Sequence, residues 1–304
     1  MSASLTSSIR TALDRGHADE ALKQIETVLQ QNASDAEAHN LRCRVFYQEQ
    51  RWNEAVSECQ QATQLAPSDS NYHMWLARAL GEKADRVSFV EAFKLARQVR
   101  SEFETAGRLD PKNAEALSDL AEFYMAAPGI VGGGDSKAER VARQLESFAP
   151  DRAHEIWARL VEKKKNYTQA ENEFKAAISA SSTPAKAWID LASFYRRRGR
   201  WDDMVAAVRS GVALDHSHGV ALVDGASTLL RANREPQLAA EWLQQYLASS
   251  AQSEDAPAFA VHAKLGNLLE QQGDHQGAQQ HFAAARSLAT DYQIAMKSTT
   301  NTGR

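Results

Sequence analysis

The chain has 304 residues, of which 43% are hydrophobic and 24% are charged. This composition is typical of a globular protein and excludes a disordered one. The formal net charge of −4 gives no general attraction for nucleic acid or for an anionic membrane, so neither is expected as a partner.

The first residues, MSASLTSSIRTALDRG, contain no basic segment followed by an apolar run, so no signal peptide is visible. No stretch approaches the roughly 20 apolar residues that a membrane-spanning helix needs. Cys43 and Cys59 cannot make a disulfide framework, and they fit a reducing compartment. We therefore expect the cytoplasm, or the bacterial periplasm if an N-terminal signal was trimmed.

Apolar residues recur at i, i+3, i+4 and i+7, and alternating Val, Ile and Thr runs are missing, which predicts an all-α protein. In chain order the pattern divides into about eight units, each containing a helix, a polar turn and a second helix. The predicted units are 2–35, 36–69, 70–113, 114–150, 151–184, 185–218, 219–255 and 256–290. The polar residues 293–304 are expected to be a frayed C-terminal tail.

Three segments show the shared layout most clearly: HNLRCRVFYQEQRWNEAVSECQQATQLAP (39–67), WIDLASFYRRRGRWDDMVAAVRSGVALDH (188–216) and HAKLGNLLEQQGDHQGAQQHFAAARSLAT (262–290). A large residue is followed by a small one in the first helix, and a small residue by an apolar one in the second. These positions hold His262, Leu265, Gly266, Leu269, Ala278 and Phe282 in unit eight, and Trp188, Leu191, Ala192, Tyr195, Met204 and Val208 in unit six. They hold His154, Trp157, Ala158, Val161, Ala170 and Phe174 in unit five, and His39, Cys43, Phe46, Ala55, Cys59 and Pro67 in unit two.

This layout resembles the tetratricopeptide repeat (TPR), a pair of antiparallel helices in about 34 residues. The resemblance implies a right-handed α-solenoid in which small residues let paired helices approach and large ones fill the space between units. Units of this kind account for residues 2–290, which leaves no block of ordinary length for a catalytic domain. We therefore expect no enzymatic activity, no cofactor and no metal site.

The segment PGIVGGG (128–134) raises the question of a phosphate-binding loop. Gly129 and Gly134 have the P-loop spacing, but Asp135 stands where the phosphate-binding lysine belongs, and a helix precedes the loop instead of a strand. We interpret the segment as an enlarged turn within unit four, with Ser136 and Glu139 as a capping box. A protein contact or an anion site stays as an alternative.

Unit three is enlarged as well, because Phe103 lies ten residues further from Leu80 than the repeat predicts. Its residues 82–103 contain neither Gly nor Pro, so we expect longer helices. Both enlargements fall where first helices turn into second helices. Units three to six are therefore expected to form a protruding lobe.

Two groups of residues are candidates for partner binding. Exposed residues of the first helices are expected to line the groove: Asn40, Arg44, Tyr47, Met74, Arg78, Glu122, Glu155, Arg159, Ile189, Ser193 and Arg196. A basic ridge is expected from Lys163, Lys164, Lys165, Arg196, Arg197, Arg198 and Arg200. Cations at helix C-termini also complement the helix dipole, so the ridge has a structural interpretation too.

The remaining polar features favour structural roles. Cys43 and Cys59 occupy positions at which the repeat needs small packed residues, so a role in the core is expected. His216 and His218 lack a second ligand cluster for a metal site. The arrangement of lysine, asparagine and arginine in successive units, with which family members hold a peptide's C-terminal carboxylate, is not found across three consecutive units.

The best functional prediction is a non-catalytic protein–protein interaction scaffold that binds a peptide or protein partner in the groove or on the lobe of units three to six. A structural or assembly subunit of a larger complex is the alternative. An anion- or nucleotide-binding regulator that uses residues 129–136 is a third possibility.

Overall fold

The structure is a computed structural model and describes residues 3–293. This part of the chain forms sixteen α-helices and one short 3-10 helix, η1 (Gly129–Val131), and it contains no strand. The α-helices are α1 (Ala3–Asp14), α2 (Ala18–Gln31), α3 (Ala36–Gln48), α4 (Trp52–Leu65), α5 (Ser70–Ala84), α6 (Phe89–Leu109), α7 (Ala114–Ala126), α8 (Asp135–Leu145), α9 (Pro150–Lys163), α10 (Tyr167–Ala180), α11 (Ala185–Arg197), α12 (Trp201–Leu214), α13 (Val220–Arg231), α14 (Pro236–Ala248), α15 (Ala258–Gln271) and α16 (His275–Leu288). None of the described helices is both long and apolar enough to span a bilayer.

The helices fall two by two into the eight predicted units, and α9 starts one residue before its predicted boundary, at Pro150. The predicted all-α fold is confirmed, and the sixteen helices of the described residues fit about eight units. The predicted tail, 293–304, lies outside the described residues except for Gln293.

Side chains at helix starts explain several of the boundaries. Asp69 accepts hydrogen bonds from the amides of the first turn of α5, and Asn113, Asn166 and Asp274 do the same for α7, α10 and α16. Such N-caps satisfy amides that have no partner inside the helix. Pro236 opens α14 at a position where its missing N–H is not needed.

The chain divides into two compact bodies. The central body comprises Ser34–Tyr47 and Arg51–Asp190. Its core contains the buried sides of α4 to α9, and each helical pair packs on the next one along the chain. The terminal body comprises Met1–Ala33, Gln48–Gln50 and Leu191–Arg304, and it contains both the first and the last units.

Small residues lie where paired helices approach, as predicted. Ala158, Ala192 and Ala278 are fully buried. The closest approach is in unit eight, where a Cβ added to Gly266 would lie 2.6 Å from the Phe282 ring. The repeat pattern therefore reports a real packing requirement.

Cys43 and Cys59 are fully buried between α3 and α4, which confirms the predicted core role. The structure adds a bond that the sequence analysis did not predict, because a disulfide joins the two residues. Their Cα atoms are 5.3 Å apart, within the usual range for such a bond. The two small packed positions of the repeat thus face each other closely enough to be cross-linked.

The two enlarged units differ in how they use their extra residues. In unit three α6 has 21 residues, which confirms longer helices. In unit four the extra residues form η1 and a turn between α7 and α8, also as predicted. The predicted capping box was wrong: the N-cap of α8 is Gly134, no side chain caps it, and Ser136 lies inside the helix.

In each of four units, a contact made by a histidine joins the first helix to the second. The Nδ1 atoms of His39, His73 and His154 lie 2.7, 2.5 and 2.8 Å from carboxylate oxygens of the second helix. Those carboxylates belong to Glu58, Glu102 and Glu173. In unit eight the partner of His262 is another histidine, His281, at an Nδ1–Nδ1 distance of 2.9 Å.

Within the terminal body the first unit packs against the last. Helix α16 contacts α2, and the hydroxyl of Thr290 donates to Asp19 at 2.7 Å. The turn residue Gly16 has φ +67°, and a Cβ there would lie 2.2 Å from the Ala258 nitrogen. Residues from opposite ends of the sequence therefore share one closely packed contact.

Candidate partner-binding surface

The first helices of the central body hold a continuous series of ion pairs between neighbouring units. Arg78 of α5 donates to Asp119 at 2.6 Å and to Glu115 at 2.8 Å, both on α7. Arg159 of α9 donates to Glu122 of α7 at 3.0 Å. Each contact therefore joins one unit to the next.

The series continues at the start of α11. The Lys186 ammonium donates at 2.6 Å both to Glu155 of α9 and to Asp190 of its own helix. We name the complete set the charged row: Arg78, Glu115, Asp119, Glu122, Glu155, Arg159, Lys186 and Asp190. It contains five carboxyl groups and three cations, so negative charge is in excess.

Solvent reaches the charged row. The side chains of Glu115, Glu122 and Lys186 are 50%, 64% and 59% exposed. Exposed ion pairs contribute little to stability, typically about 0.2–1 kcal/mol each. These three side chains are therefore accessible to a partner, whereas Glu155 and Asp190 are only 15% and 20% exposed.

One carboxyl group of the charged row, that of Glu155, has a pKa far above the usual value for a carboxyl group. Burial, a hydrogen bond to Asp190 and the charge of Asp190 raise the pKa of Glu155 to about 7, against the opposing effect of Lys186. Burial also acts to raise the pKa of Asp190, but hydrogen bonds from Glu155 and Lys186 hold it below its usual value. Glu155 therefore takes up a proton in mild acid, and an added cation would release it.

Aromatic side chains extend the surface beyond Arg78. The Tyr47 ring meets Trp52 and Trp75 edge to face, with centroids 5.3 and 5.5 Å apart. Arg44 and Arg78 lie over Trp75 at 5.3 and 4.8 Å from its centroid. Burial, followed by the charge of Glu82, raises the pKa of the Tyr47 hydroxyl to about 12. The hydroxyl therefore stays protonated and can donate a hydrogen bond.

The structure brings together part of the predicted groove lining. Arg78, Glu122, Glu155 and Arg159 belong to the charged row, and Arg44 and Tyr47 adjoin it through Trp75. Ser193 and Arg196 are half-buried and belong to the terminal body.

Three of the predicted lining residues are not exposed. The side chains of Asn40, Met74 and Ile189 are buried, so the expectation that they are open to a partner was wrong. Sequence reasoning missed Glu115, Asp119, Lys186 and Asp190, although each pair has the i, i+4 spacing of one helix face.

Two lysines of the predicted basic ridge, Lys163 and Lys164, have acidic partners. Lys163 donates to Asp135 at 2.7 Å and to the Met125 carbonyl at 3.0 Å, and Lys164 donates to Glu139 at 3.1 Å. These contacts attach α9 to α7 and α8. In the terminal body, Arg200 donates to Asp203 at 2.6 Å and lies over the Tyr195 ring. Arg197 and Arg198 are exposed.

The glycine loop uses its amides internally. The amides of Gly132, Gly133 and Gly134 donate to the carbonyls of Gly129, Pro128 and Tyr124. Lys137, the lysine closest along the chain, donates to the Gly132 carbonyl at 2.7 Å. These donors already have partners, so the loop geometry favours the structural turn over a phosphate site. Among residues 3–293 no group of three or more His, Cys, Asp or Glu side chains could hold a metal ion.

Comparison with known proteins identifies the repeat. Two profiles described as Tetratricopeptide repeat match residues 12–79 and 157–215. A search of the curated proteins finds no match. One similar solved structure is TTC0263, a thermophilic TPR protein of Thermus thermophilus, with 19% identity, a TM-score of 0.49, and coverage of 58% of this chain and 90% of that one.

Yeast Tom70 is similar over 93% of this chain with a TM-score of 0.56 and 17% identity. This chain spans 58% of the Tom70 chain, and at such identity the similarity shows the fold alone. The two profile matches, the sixteen helices in eight pairs and the similarity to Tom70 agree with one another. The chain is a tetratricopeptide-repeat protein with an α-solenoid fold.

Proposed function

We propose that the chain is a non-catalytic scaffold that binds a protein partner across the charged row. TPR proteins bind protein partners, and their fold is typically non-catalytic. The observation that supports this surface is the row itself, in which five carboxyl groups face three cations on solvent-accessible first helices.

The proposed partner segment is basic and extended. Lysine and arginine side chains complement the excess of carboxylates, and charge complementarity of this kind gives specificity and speeds association. A bound cation also favours the ionised form of Glu155, so binding should release a proton.

Anisotropy with fluorescein-labelled peptides tests the proposal. A Lys/Arg-rich peptide should bind, an Asp/Glu-rich peptide of equal length should not, and affinity for the basic peptide should be higher at about pH 8 than at about pH 6 because Glu155 is then ionised. The double variant Glu115→Lys/Glu122→Lys should weaken binding about tenfold or more. Both side chains are at least half exposed, so the fold should be retained.

A matched control makes the same change in net charge away from the row. Glu54→Lys/Glu91→Lys alters two exposed carboxylates near the starts of the second helices α4 and α6. If the control weakens binding as much as the double variant does, general electrostatics explains the affinity and the proposed surface is wrong.

We also propose that the chain works in an oxidising compartment such as the bacterial periplasm. The Cys43–Cys59 disulfide supports this, since such bonds rarely persist in a reducing cytoplasm. Maleimide labelling of the denatured protein from its native host should modify neither cysteine before reduction and both afterwards. Labelling of both cysteines without a reductant would contradict the proposal.

A further inference from the structure

The histidine pair of unit eight differs in one chemical respect from its counterparts in units two, three and five. Each counterpart joins an imidazole of the first helix to a carboxylate of the second. In unit eight both partners are imidazoles, from α15 and α16, at the same kind of distance. The pair in unit eight therefore occupies the same position in the repeat, but protonation should weaken it, whereas protonation of a histidine beside a carboxylate strengthens the contact.

A carboxylate partner favours a protonated histidine, because the charges attract. Two imidazoles that face each other through Nδ1 atoms 2.9 Å apart can share only one proton. A proton added to the second nitrogen removes the only acceptor of that hydrogen bond. When both rings are protonated, two positive charges also lie within contact distance, between two helices that must stay packed.

The surroundings of the pair do not offset this repulsion. Burial, followed by the charge of His281, lowers the pKa of His262 to about 4. Burial lowers the pKa of His281 as well, and Asp274 at the start of α16 opposes that shift. Helices α14 and α2 pack against α15 and α16, and α13 reaches α15 through Ser227; the causes that shift the pKa values of the two rings are burial, His281 and Asp274.

Unit eight also supports the contact between the two ends of the terminal body. Helix α16 contacts α2, and Thr290, two residues beyond α16, donates to Asp19 at the start of α2. Gly16 lies directly against the start of α15. A change in how α15 and α16 pack therefore affects the position of unit one.

We propose that the His262–His281 pair is an acid-sensitive contact: protonation of both rings loosens α15 from α16 and releases unit one from unit eight. The reversal of the repeat's usual His–Glu pairing places this response in unit eight and not in units two, three or five. The proposal concerns the terminal body and does not depend on the charged row.

Hydrogen–deuterium exchange of the full chain, read by mass spectrometry, tests this inference. Exchange is measured at about pH 7.5 and about pH 5 and corrected for the intrinsic rate at each pH. In the wild type, protection of α15, α16 and α2 should fall about tenfold in acid relative to α5 and α6, since one pKa unit corresponds to a factor of ten. Equal loss in both regions would overturn the proposal.

His281→Glu is the most informative variant, because it restores the pair found in the other units. Its α15, α16 and α2 peptides should keep their protection at the lower pH. His281→Gln, which cannot take a second proton, provides the same test if the glutamate variant fails to fold. If either folded variant loses protection as the wild type does, the pair is not the cause.

The converse variant moves the acid response to another unit. Glu102→His creates a pair with His73 in unit three and should make α5 and α6 lose protection in acid about tenfold, with unit eight unchanged. A folded Glu102→His protein without this response would show that facing imidazoles do not suffice.

Discussion

Units two and eight place helices in the same geometry but hold them together by different chemistry. In unit two, α3 and α4 share the Cys43–Cys59 disulfide and the hydrogen-bonded contact between His39 and Glu58. In unit eight, α15 and α16 depend on the packing of Gly266 against Phe282 and on two facing imidazoles. A repeat determines how two helices meet, whereas a few side chains determine how strongly and at which pH they stay together.

Removal of the disulfide should cause the largest loss of stability, because unit two then lacks the covalent bond that distinguishes it from unit eight. The cysteines are separated by 16 residues, and a loop of this length corresponds to about 3 kcal/mol of stabilisation. Urea unfolding of the Cys43→Ala/Cys59→Ala variant should show a loss of that order. Dithiothreitol should destabilise the wild type and leave the variant unchanged; an insensitive wild type would mean that the bond adds no stability.

Substitution of Gly266 should destabilise unit eight by overpacking. In Gly266→Val the new side chain meets the Phe282 ring, and such clashes typically cost about 1–3 kcal/mol. Gly81→Ala is the matched control, since a Cβ at Gly81 meets nothing within 4 Å and alanine favours a helix. Thermal unfolding should show a loss for the first variant and none for the second. The double variant Gly266→Val/Phe282→Leu should regain part of the lost stability, because leucine at position 282 leaves more space for the valine.

The pH dependence of the histidine contacts should have opposite signs in units three and eight. The hydrogen bond to Glu102 raises the pKa of His73, although burial opposes the shift. The stabilisation that the His73–Glu102 contact provides is therefore complete when the pH is below about 6.5, the pKa of histidine in the unfolded chain. It is lost as the pH rises through the raised pKa of His73 in the folded protein. For His262, whose folded pKa is lowered, stability is complete above about 6.5 and falls as the pH drops toward about 4.

Glu102→Gln tests the sign in unit three. It should cost about 1 kcal/mol at about pH 6 and less at about pH 9, as measured by the shift in thermal midpoint. A difference that grows with pH would contradict the assigned sign.

Loss of the hydrogen bond from Thr290 to Asp19 should cause the smallest loss of stability. Thr290→Ala removes the hydroxyl that donates to Asp19, and an exposed hydrogen bond of this kind contributes about 0.5–1.5 kcal/mol at most. Hydrogen exchange should increase in α2 and leave α3 and α4 unchanged. Thr183→Ala, in the turn before α11, is a control that should not affect α2.

The fold was predictable because its pattern reports contacts inside each unit. Small residues such as Ala278 and Gly266 must recur wherever paired helices approach, so the sequence period predicts a series of about eight helical pairs. The histidine contacts were visible in the same way, since His39 and Glu58 have the same spacing as His262 and His281. The disulfide depends on the direction of two Cβ bonds, and sequence spacing alone does not specify that direction.

The charged row was predictable only in part, because its contacts cross from one unit to the next. Whether Lys186 meets Glu155 depends on how far neighbouring helices rotate, and the repeat pattern does not give that angle. The burial of Met74 and Ile189 could not be predicted for the same reason. Both stand at positions equivalent to the partly exposed Glu155, yet here they pack inside the protein.

The position of Gly16 has a consequence for mutational scanning. Its left-handed backbone and its contact with the Ala258 nitrogen leave no space for any side chain. In a library of single substitutions, this turn residue should tolerate replacement as poorly as a core position does. The neighbour responsible lies in the last unit, so compensating changes should be found near Pro257 and Ala258, not among the residues adjacent in sequence.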